Sequence, residues 1–177
     1  MNNALLLLQR LNTGLAVLAG GLLLLSVLVT IVDIVLRQAG HSLGGTDELS
    51  GYAIAIATSW GMSYTLTSLA HVRIDLVRAR CKAPLRSLFD AIALLSLAAT
   101  AVVIAYRVWP VLEKSLKNNS TANTTLETPL WIPQSMWMAG WVWFAVSALF
   151  LTVALFLSAL RKDHESINRS AGLGDRT

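Results

Sequence analysis

The sequence predicts an all-α integral membrane protein with four transmembrane helices and both termini in the cytoplasm. Hydrophobic residues make up 55% of its 177 positions, charged residues only 14%, and the mean hydropathy is +0.60. Soluble domains carry about a quarter charged residues, so the deficit indicates a lipid environment. The apolar residues also fall in long blocks, as needed by helices that cross a hydrocarbon core about 30 Å thick with roughly 20 residues each.

Four such blocks form one predicted membrane domain over residues 1–162, followed by a polar cytoplasmic tail at 163–177. The predicted spans cover about residues 13–36, 47–69, 84–109 and 131–160. The first block is too long for the apolar part of a signal peptide, which has about 7–15 residues. It is therefore interpreted as a retained helix.

The second block begins with residue types that favour a helix start. Thr46 and Asp47 are good N-cap residues, and Asp47 with Glu48 places negative charge at the positive end of the helix dipole. The interior of this block is rich in small and hydroxyl residues, which allow close helix contacts in a membrane. We expect this helix to face protein more than lipid.

The third and fourth blocks have clear end signals. Pro84 suits the first turn of a helix, and Pro110 is expected to end the third helix, so that a polar loop follows at 114–128. Tryptophan concentrates at membrane interfaces, and four tryptophans cluster where the fourth helix begins: Trp131, Trp137, Trp141 and Trp143. These side chains predict an end of the helix that is fixed at the interface.

The distribution of Lys and Arg predicts the orientation. Of the 14 basic residues, ten lie on the side of the N-terminus and four on the other side. Basic residues favour the cytoplasmic side, so both termini and the middle loop are predicted to be cytoplasmic. The same bias accounts for the net charge of +4, and no nucleic-acid partner is expected.

The residues offer no catalytic constellation, cofactor site or metal site. His41, His71 and His164 all fall outside the predicted spans, whereas a membrane cytochrome needs histidines that project into the bundle. Cys81 is the only cysteine, which excludes paired-cysteine motifs. We therefore expect a protein that is not an enzyme.

Charged residues near the ends of the spans are the remaining candidates, since charge is costly in a membrane and often functional there. Asp33 and Arg37 are four residues apart, as are Arg86 and Asp90, and helical neighbours at this spacing can pair. The simpler interpretation is a locally neutralised pair at the interface. The alternative is a contact with another subunit or a lipid head group.

The stretch from Glu48 to Leu76 resembles the small (Q-type) membrane subunit of TRAP transporters, the tripartite ATP-independent periplasmic transporters. The shared features are a glutamate at the start of the second helix, a Trp–Gly pair along it, an H-[IV]-R-[IV]-D segment after it and a Pro-x-Trp start of the fourth helix. In this sequence they correspond to Glu48, Trp60, Gly61, His71, Arg73, Asp75, Pro129 and Trp131. A glycine common in the family just before the histidine is absent, and Met138 stands near the place where the family commonly has a proline in the last helix.

The resemblance implies a scaffold subunit in the bacterial cytoplasmic membrane. Its partners would be a large multispan subunit, which moves a small organic acid with sodium, a periplasmic substrate-binding protein and membrane lipids. Together with Asp33 and Arg37, the residues of the resemblance are candidates for contacts with the large subunit or with lipid. Two alternatives come from other classes: an independent four-helix exchanger, for which Asp33 lies too near a helix end, and a membrane anchor of a redox complex, which the histidine positions argue against.

Overall fold

Helices form almost all of the chain that the computed structural model describes, namely residues 2–68 and 83–160. The helices are α1 (Asn2–Gln38), α2 (Thr46–Thr67), α3 (Ala83–Lys117) and α4 (Trp131–Leu160). Within these residues the only β-type pairing is an isolated bridge between Thr121 and Pro129. The predicted all-α class is confirmed.

Three of the helices are long and apolar enough to cross a membrane. Their apolar segments are Asn3–Gln38 in α1, Leu88–Lys117 in α3 and Trp131–Leu157 in α4. With 22 residues, α2 has a length of about 33 Å and could also reach across, but its serines and threonines lower its hydropathy. Transmembrane placement of α2 therefore stays a prediction.

Two helix ends differ from those predicted. α1 begins at Asn2, well before residue 13, because the leucine-rich stretch ahead of the span also consists of good helix formers. α3 continues through Pro110 to Lys117, so the prediction that Pro110 ends this helix is wrong. The turn after the proline is held by packing, since Leu112 and Ser115 are 7% and 6% exposed.

The helices pack in the order α1, α2, α4, α3 within the described residues. α2 and α4 therefore lie in the middle, with α1 and α3 flanking them. The buried core consists mainly of α3 and α4 residues around Phe144, with Leu66 contributed by α2. Small residues such as Ala98, Ala101 and Ala148 allow these helices to approach closely.

The helices α2 and α4 approach each other closely at Gly140. A Cβ atom placed on Gly140 would lie 2.3 Å from the Ser59 Oγ and 3.0 Å from the Ser59 carbonyl carbon. Trp60, the next residue on α2, donates its indole N–H to the Met136 carbonyl at 3.1 Å. The prediction that α2 faces protein agrees with this packing, since it is covered by α1 on one side and by α4 on another.

Candidate interaction site and its polar clusters

Asp33 is the centre of a polar cluster near the end of α1. Its side chain is 1% exposed, and it forms the predicted ion pair with Arg37 at 2.6 Å. Three further groups donate to the same carboxylate: the Leu43 backbone N–H at 2.7 Å, the Ser42 hydroxyl at 3.1 Å and the Thr46 hydroxyl at 2.9 Å. Arg37 is 51% exposed. Most of the partners of Asp33 therefore lie in the connection between α1 and α2, and Arg37 is only one of four.

The start of α2 differs from the expected side-chain cap. Gly45 occupies the N-cap position with a φ of 70°, and no side chain caps the helix. The Thr46 hydroxyl, an expected cap, is buried and donates to Asp33 instead. Asp47 and Glu48 do lie in the first turn, where they complement the helix dipole.

Glu48 joins the start of α2 to the loop between α3 and α4. Its carboxylate accepts hydrogen bonds from the Tyr52 hydroxyl, at 2.7 Å, and from the Thr124 hydroxyl. Close by, the Leu126 side chain lies over Gly45, where a Cβ atom would meet the Leu126 Cγ at 2.4 Å. The two loops at this end of the molecule are thus fastened to each other.

Pro129 and Trp131 lead into α4 from this loop. The loop folds back on itself, with the Ala122 N–H bonded to the Thr128 carbonyl at 2.9 Å and the Leu130 N–H bonded to the Ser120 carbonyl at 3.0 Å. Trp131 is 44% exposed, as expected for a side chain at the membrane interface.

Trp141 and Trp143 contact other parts of the chain. Trp141 packs edge-on against Phe144 at the margin of the core. Trp143 lies about 18 Å along α4 from Trp131, because 12 residues separate them. The interfacial role predicted for the tryptophan cluster stays a prediction.

A second polar cluster, missed in the sequence, surrounds Asn12 on α1. Asn12 is 0% exposed. Its side-chain amide donates to the Ser63 carbonyl at 3.1 Å and to the Thr67 hydroxyl at 3.2 Å, and its carbonyl accepts the Trp143 indole N–H at 2.8 Å. One asparagine thus connects α1, α2 and α4. An isolated Asn ahead of a hydrophobic block was the only sequence signal for it.

Gly61 has open space on its side of α2. No atom lies within 4 Å of a Cβ placed there, and Gly51, nearer the start of the same helix, is equally open. The neighbouring Trp60 is turned toward α4. The two residues of the Trp–Gly pair therefore differ. Trp60 packs against α4, whereas the backbone at Gly61 is not covered by other described residues.

The H-[IV]-R-[IV]-D segment lies outside the described residues, and so do His71, Arg73, Asp75 and Cys81. The side chain of Arg86 is also outside them, so its predicted pairing with Asp90 stays a prediction. Asp90 itself is 4% exposed. Within residues 2–68 and 83–160 no three His, Cys, Asp or Glu side chains are grouped so that they could hold a metal ion.

Long apolar helices with a polar cluster near each end of α1 define a membrane protein, and in the described residues Asn12, Asp33 and Glu48 bond to groups of the chain itself. Comparison with known families assigns it further. Residues 26–161 match the family described as tripartite ATP-independent periplasmic transporters, DctQ component. Since the match covers more than three quarters of the chain, the chain belongs to this family. No curated protein and no solved structure matches significantly.

The family confirms the resemblance drawn from Glu48, the Trp–Gly pair and the segment around Arg73. The protein is a small membrane subunit of a TRAP transporter, a class of complex that has further components. The family is one of transporter components, which are generally not enzymes.

Proposed function

We propose that this chain is the scaffold subunit for the large membrane subunit of its transporter. On this proposal it crosses the bacterial cytoplasmic membrane four times, with both termini in the cytoplasm. The match to the DctQ component over residues 26–161 carries the proposal. The large subunit moves a small organic acid with sodium, after a periplasmic binding protein delivers it. The chain itself contacts neither the organic acid nor the ion.

The open side of α2 is the proposed contact with the large subunit. At Gly51 and at Gly61 no atom lies within 4 Å of an added Cβ atom, so the backbone of α2 is uncovered at both positions. Small residues allow a partner helix to approach the backbone closely, and membrane helices associate through such packing. Pro129 and Trp131 set the height of α4, and His71, Arg73 and Asp75 contact lipid or the large subunit.

Asp33 is not available for the alternative function of an independent exchanger. Proton exchange needs a carboxylate that can release its partners, and the Asp33 carboxylate accepts hydrogen bonds from Ser42, Leu43 and Thr46 in addition to pairing with Arg37. Such a carboxylate is held by its own chain. The alternative of a redox anchor receives no support from His41, which lies exposed in the loop after α1.

Affinity purification of the tagged chain from native membranes in mild detergent tests the proposal. Mass spectrometry should recover one large multispan protein in equal amount. Gly61→Leu should reduce that recovery at least several-fold, because the added side chain separates the two backbones. Gly20→Leu, on α1, is the matched control for added bulk, because a Cβ atom there is equally open and lies outside the proposed contact. Recovery of the chain alone, as a stable homodimer, would overturn the proposal.

A further inference from the structure

An apolar groove runs along α1 where this helix meets α2 and α4. Its main part has a volume of about 720 Å³ and is lined by Leu11, Gly14, Leu18, Trp60 and Trp143, with Arg10 at one end. A second cavity of about 220 Å³ shares Leu18 and Trp60 with it and continues along α1 to Leu22. Both indole N–H groups point elsewhere, to Met136 and to Asn12, so the tryptophans contribute apolar surface.

Arg10 is an exposed cation at the mouth of this groove. The described residues include no carboxylate that pairs with it, and α1 carries no acidic residue before Asp33. Arg10 and Asp33 are separated by 23 residues, or about 35 Å of helix, which is close to the thickness of a hydrocarbon core. If Asp33 lies near one head-group region, Arg10 lies near the other.

The groove has the depth of one leaflet. From Leu11 to Leu22 it follows α1 for about 17 Å, and one leaflet contributes about half of a 30 Å core. Its layout is that of an amphiphile, with one unpaired cation at head-group level and only apolar surface below. A helix from a partner protein would require a carboxylate at that depth to match Arg10, whereas a phospholipid carries its negative charge there.

We propose that this groove binds one anionic phospholipid from the leaflet that contains the N-terminus of α1. The phosphate pairs with the Arg10 guanidinium, and an acyl chain lies along Leu11–Leu22 against Trp60 and Trp143. Gly14 leaves room for that chain, because no atom lies within 4 Å of a Cβ built there. The lipid would fill the gap between α1 and the central pair of helices, which goes beyond the scaffold function.

Native mass spectrometry of the purified full-length chain, titrated with phosphatidylglycerol, tests this inference. Arg10→Gln should weaken binding about fivefold, the effect of one basic residue at a membrane surface. Arg107→Gln, which removes an exposed cation near the opposite end, should leave binding unchanged. Gly14→Phe should abolish binding by filling the groove. Gly21→Phe is the matched control, because Gly21 is equally open but does not line either cavity.

Equal phosphatidylglycerol binding by Arg10→Gln and Arg107→Gln, or by Gly14→Phe and Gly21→Phe, would overturn the inference. It would also be overturned if Gly14→Phe kept its lipid and instead lost the large subunit, since the groove would then take protein. Continued recovery of the large subunit with Arg10→Gln leaves the scaffold function intact, so the two proposals can fail separately.

Discussion

The Trp143 indole N–H donates a hydrogen bond to the Asn12 side-chain carbonyl at 2.8 Å, across the space between α4 and α1. Asn12 also reaches two groups on α2. Helices in a membrane gain little from apolar burial, because lipid is as apolar as a leucine side chain, so such polar contacts contribute to their association. The Asn12 cluster is therefore a principal source of specificity in how α1, α2 and α4 assemble.

Trp143→Phe should lower stability, since it keeps a large ring but leaves the Asn12 carbonyl without its donor. Interhelical hydrogen bonds in membrane proteins contribute about 0.6 kcal/mol on average and up to about 1.7 kcal/mol, which sets the expected loss. Unfolding in SDS, followed by circular dichroism, measures it. Trp109→Phe, at a side chain that is 58% exposed, is the control and should have no effect. Additive effects of Asn12→Ala and Trp143→Phe would contradict the contact.

Asp33→Ala should destabilise the end of α1 far more than Arg37→Gln does. The alanine leaves the Leu43 N–H and the Thr46 hydroxyl without their acceptor, and hydrogen bonds to charged groups contribute about 1.5–3 kcal/mol each. Arg37→Gln removes only a half-exposed ion pair, with an expected loss of about 0–1 kcal/mol. Hydrogen exchange at the Leu43 amide distinguishes the two. Equal exchange rates in the two variants would contradict the prediction, because the Leu43 amide would then be no more sensitive to the loss of its acceptor Asp33 than to the loss of Arg37.

Gly45→Ala should be more harmful than Gly40→Ala, although both glycines have positive φ values, of 70° and 80°. The left-handed conformation costs a residue with a Cβ roughly 1–2 kcal/mol at either position. At Gly45 the new methyl group also meets Leu126, whereas at Gly40 nothing lies within 4 Å. Thermal unfolding midpoints compare the two variants. Adding Leu126→Ala should recover part of the Gly45→Ala loss, and failure to do so would contradict the contact between the loops.

Gly140→Ala should push α2 and α4 apart, because its Cβ would overlap the Ser59 side chain and touch its backbone. Overpacking of this kind costs about 1–3 kcal/mol. Gly61→Ala, on the open side of α2, should be neutral or stabilising in the isolated chain, since alanine favours a helix by about 1 kcal/mol over glycine. Denaturant midpoints in detergent provide the measurement. A neutral Gly140→Ala would mean that α2 and α4 pack less tightly at Gly140 than its distances to Ser59 indicate.

The membrane placement of α2 can be tested by labelling cysteines. A His41→Cys variant that also carries Cys81→Ser should react with an impermeant maleimide in intact cells, because the loop after α1 is predicted to be periplasmic. The natural Cys81 should react only after permeabilisation. Labelling of both from the same side would mean that α2 does not cross the membrane.

The helices and their number were predictable, because long apolar blocks have few other structures available to them in lipid. The exact ends were not, since Pro110 alone favours a stop and only the packing of Leu112 and Ser115 keeps the helix going. The spacing of Asp33 and Arg37 predicted their ion pair, because that contact is within one helix.

Contacts between distant segments were not predictable from the same reasoning. Thr46 is a residue type that favours the N-cap position, but its hydroxyl donates instead to the Asp33 carboxylate on α1. Asn12 and Trp143 are 131 positions apart, and a single sequence carries no signal of their meeting. The family features singled out Trp60 and Gly61 in the sequence. Only the packing of α2 against α4 shows that Trp60 is the one that faces the rest of the chain.

The close contact of Gly140 with Ser59 joins two helical hairpins, α1–α2 and α3–α4. Within each hairpin, the two helices in contact follow one another in the sequence. The α1–α2 hairpin can form as soon as α2 is made, whereas the α3–α4 hairpin and the contact between α2 and α4 both need α4. The order of synthesis therefore places the α1–α2 hairpin first in the order of assembly. A chain interrupted between Ser68 and Ala83 would retain both hairpins. Their association would then depend on the Gly140–Ser59 contact, the Asn12–Trp143 bond and the Glu48–Thr124 bond.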